Sequence, residues 1–220
     1  MRSARKTGSA SAGFDSAFAG SLPVVERLTG NDWEYAAVDV TPAYGRRLTR
    51  FRRHLLFVQP DLFVVYDDLA APTPVLLEYR LRSVGELFRD ERSGDLRLDL
   101  PKAGLTAHWL TSEKESFQPW GRTVATAGVG PERVLHSIAT NRLTELRALT
   151  VIIPHCAGRR RGTGFKLLES DTAIGARVYR DGLPTLLAFR TIEPGEANLT
   201  GLKFTAAVAV DVFRPKSRRP

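Results

Sequence analysis

Apolar residues recur at every second position in short runs along this chain, and Gly, Pro, Asn and Asp separate the runs. That spacing lays apolar side chains along one face of an extended strand, so the pattern predicts β-structure. The central instance runs from Arg46 to Asp68, RRLTRFRRHLLFVQPDLFVVYDD. Phe51, Leu55 and Phe57 form one set, Leu62, Val64 and Tyr66 the next, with Gln59-Pro60-Asp61 between them. A hairpin follows, because Pro60 cannot donate to a strand ladder but suits a turn. If Phe51, Leu55 and Phe57 point inward, period two puts Arg53 on the same face. An inward guanidinium is costly unless a carboxylate satisfies it, which predicts a buried structural ion pair with Asp39 or Asp67 as the partner.

The remaining runs extend the picture. Leu22 to Leu28 and Trp33 to Val40 read as strands around Gly30-Asn31-Asp32, and Thr41-Pro42-Ala43-Tyr44-Gly45 as a loop feeding the hairpin. Ala71-Pro72-Thr73-Pro74 is expected to break the chain before a separate strand carrying Leu77, Tyr79 and Leu81. Leu96, Leu98 and Leu100, then Leu105, Ala107 and Trp109, alternate in turn. Residues 113–131 carry no period and read as a long loop. Val134 to Thr140 and Leu146 to Ile153 read as a pair of strands. Ile174, Ala176 and Val178 lead to Asp181-Gly182, a strong hairpin signal, and Leu187 and Phe189 return. Phe204 to Val212 is the last strand. Strands at roughly ten-residue spacing predict an all-β fold, a multi-stranded antiparallel β-sandwich of supersandwich type with very little helix. The expected organisation is a disordered leader over residues 1–13, one sandwich domain over 14–213 and a basic disordered tail over 214–220.

Length and composition change little in that reading. A chain of 220 residues that is 43% apolar can bury one large core. No apolar window is long enough for a membrane helix, and the basic, small-residue start lacks the apolar stretch of a signal peptide. Compartment is left open. Cys156 is the one cysteine, which excludes an internal disulfide and a cysteine-based zinc site. The formal charge of +8 and pI near 10.0 favour a polyanionic partner. Arginines fall in short scattered clusters without the aromatic interleaving of an RNA-binding surface, so nucleic acid is disfavoured. The basic run Gly158 to Gly164, GRRRGTG, lacks the order of a phosphate-binding loop and reads as a solvated loop.

Candidate chemistry is sparse. His54, His108, His136 and His155 are isolated from one another in sequence, and no metal site or other cofactor is predicted. Asp67 and Asp68 are adjacent on a strand, point to opposite faces and cannot share a substrate proton, so no catalytic residue is assigned. Tyr44, in its Pro-containing loop, and Trp120, between Pro119 and Gly121, are the candidates for contact with a saccharide. Asn198-Leu199-Thr200 matches a glycosylation acceptor.

Once the strands are in place, the order of motifs resembles the C-terminal β-sandwich of heparinase II/III-like polysaccharide lyases. A D-x-T-x-A-Y loop is matched by Asp39, Thr41, Ala43 and Tyr44, and an R-x-x-x-F strand by Arg53 and Phe57. A P-D-x-F-V-V-x-D strand is matched by Pro60, Asp61, Phe63, Val64, Val65 and Asp67, and LTELRALTVIIP is similar to a late strand closing on Pro154. The resemblance spans roughly Phe14 to Phe213. It implies uronate β-elimination in a parent enzyme that pairs an α/α toroid with this sandwich, and whose members are often periplasmic or secreted. Neither the toroid nor the metal-binding His-x-His of that family has a counterpart here. The implied function is therefore a sandwich module inactive by itself, with an anionic polysaccharide and a separate toroid chain as partners. The alternative is a stand-alone carbohydrate-binding or scaffold domain.

Overall fold

The computed structural model describes residues 20–83, 87–90, 94–111, 120–124, 133–158, 163–192 and 194–212, with side chains described at all of these except 78, 80–82, 120–124 and 133–141. In chain order the strands are β1 (Val24–Thr29), β2 (Trp33–Asp39), β3 (Arg50–Val58), β4 (Leu62–Ser83), β5 (Phe88–Arg89), β6 (Leu96–Asp99), β7 (Ala103–Thr111) and β8 (Trp120–Val124). After them come β9 (Arg133–Cys156), β10 (Thr163–Glu169), β11 (Ala173–Arg180), β12 (Leu183–Arg190), β13 (Ala197–Leu199), β14 (Leu202–Phe204) and β15 (Val208–Val212). Nine strands form one antiparallel sheet in the order β1-β2-β3-β4-β9-β7-β6-β5, with β8 also paired to β9. β10-β11-β12-β15 form a second antiparallel sheet, and β13 and β14 a hairpin. The fold is all-β.

Period two sorts β3 and β4 into two faces. The face toward the second sheet takes Leu56, Val58, Leu62, Val64 and Tyr66, which meet Ile174, Val178, Leu187 and Phe189 in the main core. Burying each such side chain stabilises the fold by about 1.5–3 kcal/mol. This corrects the inward set expected on β3. His54, Leu56 and Val58 are the buried residues, whereas Leu55 is 43% exposed. The reason is that the nine-stranded sheet buries parts of both faces. Phe51 and Leu69 are buried on the opposite side, in a second core with Leu96, Trp109 and Leu146.

The expected break at Ala71-Pro72-Thr73-Pro74 is absent, because β4 runs through it. Ala70 pairs with Glu145 and Val75 with Leu143, so residues 71–74 bulge against Thr144 alone. Pro72 and Pro74 thus occupy positions that need no ladder donor. Its partner β9 is likewise continuous where two strands were expected, since Leu143 stays paired to Val75 instead of turning. A bulge between long strands bends them. Beyond it, Tyr79 lies against Trp109, with ring centroids 6.1 Å apart.

Smaller corrections follow. Thr41–Arg47 is a 3₁₀ helix rather than a loop, with Pro42 in its first turn, and it is the one helix among the described residues. Trp120 belongs to a strand, not to the long loop expected over 113–131. The expected strand from Phe204 to Val212 is two strands, and β10 and β13 had no counterpart in the sequence pattern. The Asp181-Gly182 turn holds both residues at positive φ, 52° and 81°, as a tight hairpin requires. The β13–β14 hairpin covers the far face of the second sheet through Leu199, Ala173 and Ala188. A Cβ at Gly175 would overlap the Leu187 carbonyl and a Leu199 methyl there. No helix among the described residues is long and apolar enough to cross a membrane. The leader over 1–13 and the tail over 214–220 lie outside the described residues.

Candidate functional site

The face of the nine-stranded sheet turned away from the second sheet gathers the Phe51, Arg53, Phe57, Phe63 and Asp67 side chains of the central hairpin. Cross-strand register aligns Val38, Arg53, Asp67 and Ala148 in one row, and Ala36, Leu55, Val65, Thr150 and Trp109 in the next. A third row runs Glu34, Phe57, Phe63, Ile152 and Ala107.

Arg53 and Asp67 are direct neighbours on β3 and β4. Arg53 donates from Nε to Asp67 Oδ1 at 2.7 Å and from Nη2 to Oδ2 at 2.9 Å, a bidentate pair. The Asp67 side chain is 6% exposed and that of Arg53 39% exposed, so the pair is half-buried. Burial pushes the Asp67 carboxyl up from its ordinary value, and Arg53 opposes that push. Burial acts downward on the Arg53 guanidinium, but Asp67 outweighs it and the guanidinium is raised. Asp39 does something else: its Oδ1 accepts from the Thr41 N–H at 3.0 Å, fixing the entry to the 3₁₀ helix.

Around this pair the side chains are aromatic. The Arg53 guanidinium lies 5.4 Å from the Phe51 ring centroid, and Phe51 in turn packs on Tyr44 at 5.3 Å. Tyr44 is half-buried against the second core. Tyr79 hydrogen-bonds with Thr150, and burial raises its phenol. The structure therefore brings Tyr44, Arg53 and Asp67 to one face. Trp120 lies on β8, two strands from β3's neighbour β4, and its side chain is outside the described residues.

Beside the polar pair the same face is open and apolar. Leu55 is 43% and Phe63 42% exposed, and the Phe57 and Phe63 rings stack at 4.6 Å. Arg27, Glu34, Leu55, Phe57 and Phe63 line a depression of about 440 Å³ at this edge. An exposed aromatic pair next to a guanidinium–carboxylate pair can hold the face and the polar rim of a sugar ring.

The histidines lie elsewhere. His54 is in the main core, with Nδ1 2.8 Å from Tyr35 Oη and its ring 4.8 Å from that of Tyr66. Burial pulls its pKa down to about 4. His155 Nδ1 approaches the Cys156 carbonyl at 3.1 Å, and the side chain of His136 is outside the described residues. Sequence reasoning treated His108 as solitary, yet Asp95 Oδ1 is 2.7 Å from its Nδ1. Their separation of thirteen residues across the β6–β7 turn hides that pair, which only the strand register reveals. Among the described residues no group of three or more His, Cys, Asp or Glu side chains converges as a metal cage requires. Asp39 caps its own turn and His54 is hydrogen-bonded inside the core, so neither is placed to join a metal site. Asn198 is on β13 and its Oδ1 accepts from Gly201 N–H.

No family model matches the chain, and no curated protein sequence does. Solved structures do match. Heparan sulfate lyase HepC from Pedobacter heparinus superposes with a TM-score of 0.63 over 78% of this chain at 12% identity. The chain has the fold of part of this lyase. A heparinase III structure, the BT4657 gene product, gives 0.62 over 77% at 15% identity, and another heparinase III 0.58 over 88% at 13%. This chain spans 27% to 28% of the length of those proteins.

Proposed function

We propose that this chain is the β-sandwich module of a heparinase-like polysaccharide lyase and that it turns over no polysaccharide alone. The observation that carries the reading is the fold match, which takes in most of this chain and about a quarter of each lyase. The motif order from Asp39 to Asp67 and the basic charge point the same way. In β-elimination a base removes the C5 proton of a uronate, the C4–O bond breaks as C4=C5 forms, and an acid protonates the departing oxygen. Stabilising the enolate that develops at the uronate carboxylate needs fixed positive charge or hydrogen-bond donors.

In this reading the Tyr44, Arg53 and Asp67 face, with the open Leu55, Phe57 and Phe63 strip, is one wall of a cleft that a separate helical toroid completes. Asp67 holds the Arg53 fork in place, and the fork presents its exposed edge to the anionic chain. The acid and base come from the completing partner, because the phenols of Tyr44 and Tyr79 are packed into the second core.

Incubation of the purified chain with heparan sulfate, heparin, alginate and hyaluronan, followed by the ultraviolet absorbance of unsaturated uronate, tests the proposal. No rise is expected, and robust turnover would reject it. The Phe57–Phe63 stack, with Phe63 exposed, favours a second reading, a carbohydrate-binding domain that works as it stands. Calorimetric binding of a neutral saccharide, lost in Phe63→Ala, would favour that reading over the first.

A further inference from the structure

On the opposite face of the nine-stranded sheet, beyond the edge of the main core, three arginines surround one carboxylate. Arg50 donates from Nη2 to Asp68 Oδ1 at 3.0 Å, and its Nε lies 2.9 Å from Oδ2. Arg147 reaches the same Oδ1 only at 3.9 Å. Arg52 is the register partner of Asp68, is exposed, and makes no ion pair among the described residues. Alternation along β3 keeps Arg50 and Arg52 on one face, and β9 supplies Arg147 directly opposite Asp68. One carboxylate has at most four lone-pair positions, and here only Arg50 uses it in a directed way. Asp39, the register partner of Arg52 on β2, together with Glu26 and Glu145, are the other carboxylates described on this face; Asp39 Oδ1 is taken by the Thr41 N–H, and none of the three forms an ion pair with these arginines among the described residues.

Two buried polar groups on this face have no hydrogen-bond partner: Arg50 Nε, whose approach to Asp68 is misdirected, and the hydroxyl of Tyr66, two residues before Asp68 on β4. Tyr66 is 1% exposed, and the charges of Asp68, Arg147 and Arg50 all bear on its phenol. A buried N–H or O–H without a partner is unfavourable by about 1–3 kcal/mol, and native proteins keep few of them. Guanidinium groups match tetrahedral and planar oxyanions as hydrogen-bond forks.

We propose that Arg50, Arg52, Arg147 and the Tyr66 hydroxyl form an oxyanion site, taking a sulfate or carboxylate group, on the face opposite Arg53 and Asp67. An oxyanion there accepts from Arg147 and Arg52 while Asp68 retains Arg50. A small turn of Arg50 or of the Tyr66 hydroxyl then supplies the last donor. The site does not depend on the lyase reading; if that reading holds, it is a second contact for the anionic polysaccharide, distinct from the cleft wall.

The test follows arginine Nε–H and backbone amide NMR signals of the full chain during titration with inorganic sulfate, with acetate and with heparan sulfate, in separate arms. Saturable shifts confined to Arg50, Arg52 and Arg147 are expected with at least one of the small anions. The double variant Arg52→Gln/Arg147→Gln is expected to weaken binding about tenfold, and Tyr66→Phe about threefold, as loss of charge-assisted and neutral hydrogen bonds predicts. The charge-matched control Lys102→Gln/Lys166→Gln, at two exposed lysines away from both faces, is expected to change it less than about twofold. Sulfate and acetate arms distinguish a sulfate ester from a uronate as the source. Shifts that never saturate, or an equal effect of the control variant, overturn the site as diffuse charge. Saturable sulfate binding without any heparan sulfate binding supports the site and rejects the lyase reading; heparan sulfate binding untouched by the double variant does the reverse.

Discussion

Arg53 and Asp67 sit opposite one another on the two strands of the central hairpin, and the arginine fork closes on both carboxylate oxygens at 2.7 and 2.9 Å. The aspartate is the more deeply buried of the two. Arg53→Met leaves that carboxylate in the sheet without its cation and is expected to destabilise the fold by about 2–4 kcal/mol, moderated by the solvent that reaches Arg53. Arg53→Met/Asp67→Leu is expected to recover at least half of the loss. Urea denaturation of both single variants and the double variant gives the coupling directly.

His54 gives the fold a pH dependence. Its pKa is about 4 in the folded chain, depressed by burial from the ordinary 6.5, so the unfolded state binds the proton more readily. Its contribution is fully present above about pH 6.5 and is lost as pH falls toward 4, by about 3 kcal/mol in all. Asp67 acts in the opposite sense: raised by burial, it lowers stability as pH climbs above the ordinary carboxylate range. The difference between wild type and His54→Phe across that range isolates the histidine. The variant is expected to lose about 1–3 kcal/mol at neutral pH, because Tyr35 Oη loses its partner, and to show a correspondingly shallower decline toward acid.

Gly175 is fixed by close approach, not by backbone conformation. Gly175→Ala is expected to destabilise by about 2–4 kcal/mol, since the new methyl meets the Leu187 carbonyl and Leu199. Thermal unfolding checks this, and Gly158→Ala, where nothing lies within 4 Å but φ is +71°, is expected to lose only about 1 kcal/mol.

Pro72 and Pro74 lie in a bulge with no facing ladder position. Pro72→Ala is expected to change stability by less than about 1 kcal/mol, whereas Val65→Pro, which removes a donor between β3 and β9, is expected to cost about 3 kcal/mol or more. Equilibrium denaturation of the two variants separates a bulge from a ladder position.

Much of the fold was legible because alternation is a local signal. The hairpin, β6, β7, β11 and β12 follow from it. What period two does not encode is which face meets which layer. A sheet with cores on both sides lets Phe51 and Leu56 be buried in opposite directions, so alternation alone could not choose between Leu55 and Leu56. The length of β4 and β9 was hidden by Pro72 and Pro74, whose breaking tendency a bulge absorbs. For the site, parity and charge called for a carboxylate beside Arg53 but left Asp39 and Asp67 as alternatives; register decides for Asp67, as it does for the arginines around Asp68 and the His108–Asp95 pair.

The most direct test of a module that binds an anionic polysaccharide without cleaving it is calorimetric titration of the purified chain with heparan sulfate at two salt concentrations. Saturable binding that weakens as salt rises is the expected result. Absence of binding at low salt, or equal affinity for an uncharged polysaccharide, would contradict the account.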